Sequence, residues 1–150
     1  MAGLTEIEKV VIEQRCARLV HQFALYNDAS DYEPMVAMFT EDAVFGRPTQ
    51  PDQPMVGRAT ILEQFKKRPA RTLCHLMVNV VITPESATTA TGECYVLLYS
   101  GPPREPGVND PAKADANAMM GGFKDRFVKV GDEWLFAERR GFLTLATAPG

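Results

Sequence analysis

The stretch YNDASDYEPMVAMF, residues 26–39, decides the fold because it joins the end of one amphipathic helix to the start of a second, shorter helix. Asp31 is well placed to cap the second helix, since its side-chain oxygen can accept hydrogen bonds from N–H groups of the first turn. Pro34 falls in that turn, where the N–H that proline lacks has no helical partner. Asp28 is out of phase with this cap, so the spacing leaves open whether it is a boundary residue or a site residue.

Three helices are predicted around this stretch, at residues 5–27, 32–39 and 59–67, because apolar residues recur in them at helical spacing. Residues 43–45 are a short strand candidate. Residues 47–54 contain three prolines, which neither a helix nor a central strand accommodates, and they are predicted to form a loop.

The second half of the chain is rich in β-forming residues and predicts four long strands, at residues 72–83, 87–99, 119–130 and 133–146. Helices followed by an antiparallel meander indicate one α+β domain, residues 1–150, with the helices on one face of a strongly curved sheet. Such a cone encloses a space that suits a small hydrophobic ligand. Residues 101–118, rich in proline, glycine, asparagine and aspartate, predict a long mobile loop over its mouth.

The composition is that of an ordinary globular protein, with 45% apolar residues, 23% charged residues and a net charge of −3 over 150 residues. Lysine and arginine are scattered, which disfavours a nucleic-acid partner. No apolar run could span a bilayer and the N-terminus has no signal-peptide pattern, so we expect no membrane partner and a cytoplasmic location. The two histidines and three cysteines have no ligand spacing, so we expect neither a metal nor an organic cofactor.

Five segments, taken in order, resemble the SnoaL-like branch of the nuclear-transport-factor-2-like superfamily. They are NDASDYE (27–33), MFTEDAVF (38–45), GRATI (57–61), CHLMVN (74–79) and DEWLFAERR (132–140). The resemblance covers nearly the whole chain and implies a cone-shaped, cystatin-like α+β barrel. It does not fix the reaction, because this fold carries lyases, isomerases, cyclases, hydrolases and non-catalytic proteins.

The resemblance also implies two site residues. The run from Asp28 to Glu33 resembles the one in scytalone dehydratase, in which the first aspartate is catalytic and the second opens the next helix. The strand around His75 resembles the strand with the catalytic histidine in scytalone dehydratase, hexachlorocyclohexane dehydrochlorinase and bile-acid 7α-dehydratase. The chain departs from these enzymes at Phe23, where the bile-acid enzyme has tyrosine, and in residues 87–99, which lack the second histidine of scytalone dehydratase.

An aspartate and a histidine that face one pocket can act as a general acid–base pair. The carboxylate of Asp28 would hold the tautomer of the His75 imidazole, and the free ring nitrogen would take a proton beside a carbonyl or a leaving group. The resulting imidazolium could protonate a departing hydroxide, which requires neither metal nor cofactor. We therefore expect the two side chains to lie within hydrogen-bonding reach inside an apolar cavity.

Further site residues are expected on the helices and strands that enclose the cavity. Tyr26 could donate a hydrogen bond to an enolate oxygen. Alternation along the last strand places Arg139 and Arg140 on opposite faces, and we expect Arg140 to face the cavity. The residues expected to contact the substrate are Phe23, Phe45, Asn79, Trp134 and Met120.

The sequence thus predicts a small cofactor-independent enzyme that acts on a hydrophobic ring compound by proton abstraction and elimination. Two alternatives stay open: an isomerase or cyclase of the same fold, and a non-catalytic protein, either a small-molecule binder or the small subunit of a ring-hydroxylating dioxygenase. The outer face of the sheet should be apolar, and apolar faces of this kind often mark interfaces. A homodimer or a higher homo-oligomer is therefore expected.

Overall fold

The computed structural model describes residues 3–147, over which the chain forms three helices and six strands. They are, in order, α1 (Glu6–Asp28), α2 (Tyr32–Ala37), β1 (Phe39–Arg47), β2 (Gln50–Val56), α3 (Arg58–Lys66), β3 (Thr72–Pro84), β4 (Thr89–Gly101), β5 (Met119–Val130) and β6 (Glu133–Ala146). None of the helices in this range is long and apolar enough to cross a membrane. The predicted α+β class is confirmed, because the helices pack on one face of a single sheet.

The strands form one mixed sheet in the order β2-β1-β6-β5-β4-β3. The antiparallel meander predicted for the second half is present from β3 to β6. The prediction of a wholly antiparallel sheet is wrong at β1, which runs parallel to β6. Strand direction cannot be read from side-chain alternation, which is the same in parallel and antiparallel strands.

The proline-rich stretch predicted to be a loop holds the end of β1 and most of β2. Two of its prolines, Pro51 and Pro54, lie on β2, which is the outermost strand beyond β1. An edge strand tolerates proline because the N–H groups on its outer side have no ladder partner to lose. The second helix is also shorter than predicted, since Phe39 begins β1 and packs its ring on Phe136 with the centroids 5.0 Å apart.

The turn between α1 and α2 is closed by backbone hydrogen bonds rather than by the expected side-chain cap. The N–H of Ser30 donates to Asn27 O and the N–H of Asp31 donates to Tyr26 O, which is the Schellman pattern with Ser30 at a positive φ of 56°. Asp31 occupies the N-cap position of α2 but makes no capping hydrogen bond. Its ψ of 72° departs from the extended backbone of Thr5, the N-cap of α1, which does cap its helix.

An aromatic cluster holds the helices against the sheet. Phe23 of α1 lies at its centre and has five phenylalanine rings within 5.7–6.4 Å, centroid to centroid. Four of the five pairs are edge-to-face, and aromatic pairs add about 0.5–1.5 kcal/mol each to the free energy gained from burial. The rings come from every layer of the fold, and they are Phe39, Phe45, Phe65, Phe123 and Phe136.

Residues 102–118 form no helix or strand, as predicted, but they do not lie over the cavity described below. Asp115 pairs with Arg71 at the start of β3, and its N–H donates to Ser100 O. These contacts hold the segment beside the start of β3 and the end of β4, opposite the turn that joins the two strands. None of residues 102–118 lines that cavity, whereas Ala112 and Ala114 line a separate depression with residues of β3 and β4.

Candidate active site

Asp28 and His75 are in direct contact. Oδ1 of Asp28 lies 2.5 Å from Nδ1 of His75, and Oδ2 accepts a hydrogen bond from the backbone N–H of His75 at 2.9 Å. The two side chains are 21% and 11% exposed, respectively. Both carboxylate oxygens are thus bound by one residue, which fixes the carboxylate and the imidazole relative to each other.

The fold explains why this contact forms. β3 is an edge strand, so an N–H group on its outer side has no strand partner, and Asp28 provides one for His75. Asp28 is the last residue of α1, where the helix dipole disfavours a negative charge. The carboxylate therefore depends on the N–H groups of His75 for its stabilisation. Because Nδ1 is engaged, Nε2 is the ring nitrogen available to a ligand.

The imidazole lies on the wall of a cavity of about 190 Å³ between the helices and the sheet. Apolar cavities of about 150 Å³ admit benzene, so this space fits a compound of one or two rings. Its apolar wall is built from both layers, and includes Phe23, Phe45, Phe65, Val96, Leu98 and Phe123.

Four polar residues of the wall were not predicted from the sequence, namely Asn27, Arg47, Thr49 and Arg68. Asn27 is buried, and Nη1 of Arg68 donates to its Oδ1 at 3.2 Å. Arg47 and Arg68 also line the cavity. Arg47 lies in the stretch predicted to be a loop and Arg68 follows α3, so no local pattern indicates that they converge. The position of Asn27 beside Asp28 was the one available signal.

Some of the predicted site residues line the cavity and others do not. Phe23 and Phe45 line the cavity as expected. Tyr26 is half-buried on α1 but is not part of the cavity wall, so the expected donor to an enolate is not brought to the site. Met120 is exposed and pairs with Leu145, while its neighbour Met119 lines the cavity, because successive strand residues point to opposite faces.

The prediction that Arg140 of the last strand faces the cavity is wrong. Arg139, not Arg140, points inward and is fully buried, with 0% of its side chain exposed. Arg140 is exposed on the outer face of the sheet. Trp134 is buried, but it lines a separate depression beside the middle of α1, with Arg15 and Leu19.

A β-bulge in β6 explains why Arg139, rather than Arg140, points inward. Between two neighbouring pairs, β5 advances by one residue, from Arg126 to Phe127, whereas β6 moves by two, from Glu138 to Phe136. Ala137 is the extra residue. An extra residue reverses the alternation of side chains, so Arg139 lies on the face of Phe136 although the two are three positions apart.

A second bulge displaces Asn79. The pairing of β3 with β4 shifts between Val78 and Val81, and Asn79 has a positive φ of 52°. Asparagine tolerates this left-handed backbone better than most residues. The side chain is exposed and lines an open groove on the outer face together with Arg140, so Asn79 does not share the face of His75 as predicted.

Beneath the aromatic wall lies a buried charged pair. Nε of Arg139 is 3.5 Å from Oδ1 of Asp125, which is its cross-strand partner. The guanidinium carbon of Arg139 lies 4.6 Å from the ring centroid of Phe23 and 4.0 Å from that of Phe123. Burial raises the pKa of Asp125 to about 6, against the opposing effect of Arg139. Arg139 therefore supports the cavity wall from behind.

No group of three or more His, Cys, Asp or Glu side chains in residues 3–147 is placed to hold a metal ion.

The comparisons with known proteins agree with this architecture. The model of the SnoaL-like domain matches residues 10–140. A candidate scytalone dehydratase from Novosphingobium aromaticivorans is 22% identical over 92% of this chain and 87% of its own, with a TM-score of 0.72. A type 2 hexachlorocyclohexane dehydrochlorinase is 12% identical over 95% and 92%, with a TM-score of 0.77.

A protein from Catenulispora acidiphila, solved in complex with S-DNPA, is 18% identical over 90% of this chain and 95% of its own, with a TM-score of 0.69. At these identities the likeness shows the shared fold. No curated protein matches the chain.

Proposed function

Because this chain belongs to the SnoaL-like family, we propose that it is a small cofactor-independent enzyme that removes a proton from a hydrophobic ring compound and expels a leaving group, most simply water. The observation that carries the proposal is the hydrogen bond of Asp28 to His75, which lines a largely apolar cavity. The cavity volume limits the part of the substrate that enters it to one or two rings.

The chemistry follows from the arrangement of the pair. Nε2 of His75 takes the proton from a carbon next to a carbonyl, and the C–H electron pair becomes the enolate. Asp28 holds Nδ1–H and balances the positive charge on the imidazolium. As the enolate electrons form the new double bond, the leaving hydroxide departs with the proton from Nε2, which restores neutral His75. A positioned acid–base group contributes typically about 10²–10⁴-fold to the rate.

Elimination is favoured among the reactions of this fold for two reasons. Two of the similar structures are named for the loss of a small molecule, water in one and hydrogen chloride in the other. In addition, one imidazole can both accept the first proton and return it to the leaving group. An isomerase would use the same first step and differ only in where the proton is returned.

A non-catalytic small-molecule binder is the second candidate. The structure of the Catenulispora acidiphila protein in complex with S-DNPA supports it, because that fold was solved with a bound compound. Both candidates use the same cavity, and only the enzyme requires proton transfer at His75.

Deuterium exchange separates the two. 1-Tetralone is a neutral two-ring ketone, and its protons next to the carbonyl exchange with D₂O when a base removes them. The wild-type protein should accelerate this exchange, as followed by mass spectrometry. Asp28→Asn and His75→Gln should each lower the acceleration by ~100-fold or more. The double variant should lose no more than either single variant, because the pair acts as a unit.

His21→Gln is the matched control, because His21 is the other histidine of the chain and is exposed on α1. It should exchange 1-tetralone at the wild-type rate. Circular dichroism and thermal unfolding would show that each variant is folded. If wild type and His75→Gln give the same exchange rate, the enzyme proposal fails and the binding protein becomes the better conclusion.

A further inference from the structure

Two arginine side chains on the cavity wall have no part in the reaction proposed above. Arg47 ends β1 and Arg68 follows α3, and both line the cavity that holds the imidazole of His75. Their guanidinium carbons lie 5.4 and 5.2 Å from the ring centroid of Phe65. The two cations therefore both contact one aromatic ring of the cavity wall.

Neither cation has an anionic partner within residues 3–147. Arg68 donates to the neutral amide of Asn27, and Nη2 of Arg47 donates to the backbone carbonyl of Gln64 at 3.4 Å. Nε of Arg47 is buried without a hydrogen-bond partner. Arg139 gives the contrast, since this buried arginine lies beside the carboxylate of Asp125.

This arrangement is costly without a ligand. Burial, and then the like charge of Arg68, lower the pKa of Arg47. Arginine nevertheless remains protonated in proteins, so the repulsion is not relieved by loss of a proton. A buried guanidinium donor without an acceptor is unfavourable, and two guanidinium groups on one cavity wall can together bind the two oxygens of a carboxylate.

We propose that Arg47 and Arg68 bind a carboxylate group of the ligand, so that the natural substrate is a small ring compound with an acidic side group. The inference rests on the proposed function in that it describes the substrate of the same cavity. The cavity volume favours a carboxylate over a larger anion, because little more than two rings fits. The hydrogen bond from Arg68 to Asn27 ties this group to the helical turn that carries Asp28.

Binding of 2-naphthoate and 2-naphthamide tests the proposal, because the two probes have the same rings and differ in the charge of the side group. By isothermal titration calorimetry near neutral pH, wild type should bind the carboxylate about tenfold or more tightly than the amide, the difference expected for a charge-assisted hydrogen bond. Arg47→Gln and Arg68→Gln should each weaken 2-naphthoate by about tenfold and change 2-naphthamide much less.

Arg71→Gln is the control, because Arg71 precedes β3 and pairs with Asp115 outside the cavity. It should bind both probes as wild type does. The salt dependence of the wild-type protein gives a readout that needs no variant: added sodium chloride should weaken 2-naphthoate and leave 2-naphthamide nearly unchanged.

Three results would overturn the proposal: equal affinities of wild type for the two probes, no detectable binding of 2-naphthoate, or an equal loss in Arg71→Gln. Its failure is distinguishable from failure of the enzyme proposal, because 1-tetralone carries no carboxylate. Preferential binding of 2-naphthoate without exchange of 1-tetralone would support the anion site and reject the enzyme. Exchange of 1-tetralone without preferential binding of 2-naphthoate would support the enzyme and reject the anion site.

Discussion

The chemical role of His75 is set by what surrounds a single side chain. Its Nδ1 and its backbone N–H both contact Asp28, so one face of the residue is occupied and Nε2 is left for the cavity. Arg139 is the opposite case, because aromatic rings and Asp125 enclose it fully. The first arrangement leaves a reactive atom free, whereas the second makes a charged group part of the core.

Asp125 should make stability depend on pH in an unusual direction. Its pKa in the folded protein is about 6, above the ordinary 3.8, because burial penalises the charged form. Between about pH 4 and about pH 6 the folded state therefore binds more protons than the unfolded state, and the contribution of this group to the unfolding free energy falls as pH rises. The fall should be on the order of 1–3 kcal/mol.

Urea unfolding of wild type and Asp125→Asn across this pH range measures the effect. The stability of wild type relative to the variant should decrease from acid to neutral pH, because the asparagine does not titrate. Asp132→Asn, in the exposed turn between β5 and β6, should follow the pH dependence of wild type. A relative stability that rises with pH would instead show that Arg139 stabilises an ionised Asp125.

Among the strands, the sequence pattern mispredicts the structure at β-bulges and at the sheet edge. Alternation along β6 predicts that Arg140 faces inward, and the extra Ala137 reverses that result. Asn79 is displaced in the same way on β3. β2 was missed because prolines exclude a central strand but not an edge strand.

Other features could be predicted from the sequence, because they depend on local periodicity or on several segments that resemble one family in the same order. The four strands of the meander and the contact of Asp28 with His75 are of this kind. The convergence of Arg47 and Arg68 on one ring was not accessible, since it depends on how a hairpin and a helix pack together.

The β1–β2 hairpin closes one side of the cavity, and its position depends on a glycine in β6. A Cβ at Gly141 would lie 2.5 Å from Cδ of Pro48, whose ring and neighbour Thr49 line the cavity. Gly141→Ala should push the hairpin away, lower the unfolding free energy by about 1–3 kcal/mol and weaken 2-naphthoate binding. Urea unfolding and calorimetry measure the two effects.

Gly46→Ala is the matched control for this prediction. Gly46 lies in the same hairpin, and its added Cβ would meet atoms no nearer than 3.8 Å, which is ordinary contact. It should change 2-naphthoate affinity much less than Gly141→Ala does. Equal affinities for the two variants would show that the hairpin does not shape the ligand site.

At the scale of the whole molecule, the helices cover one face of the sheet and leave the other open. Cross-strand pairing places apolar side chains in rows on that outer face, since directly opposed residues point the same way. One row crosses four strands, and Val78 and Tyr95 form part of the next. The four-strand row is Leu76, Leu97, Met120 and Leu145.

We predict that this outer face is the interface of a homodimer. A contiguous exposed apolar patch on a monomer is uncommon, and pairing of two copies over these rows would remove them from water without disturbing the cavity on the other side of the sheet. Sedimentation equilibrium at micromolar concentration should give a dimer for wild type. Val78→Glu should shift it to monomer, because a buried unpaired carboxylate is costly at an interface.

Val10→Glu should remain dimeric, since Val10 is exposed on α1 at 57%, against 45% for Val78, and lies outside the sheet. A monomeric wild type, or equal dissociation of both variants, would contradict the assignment of this face.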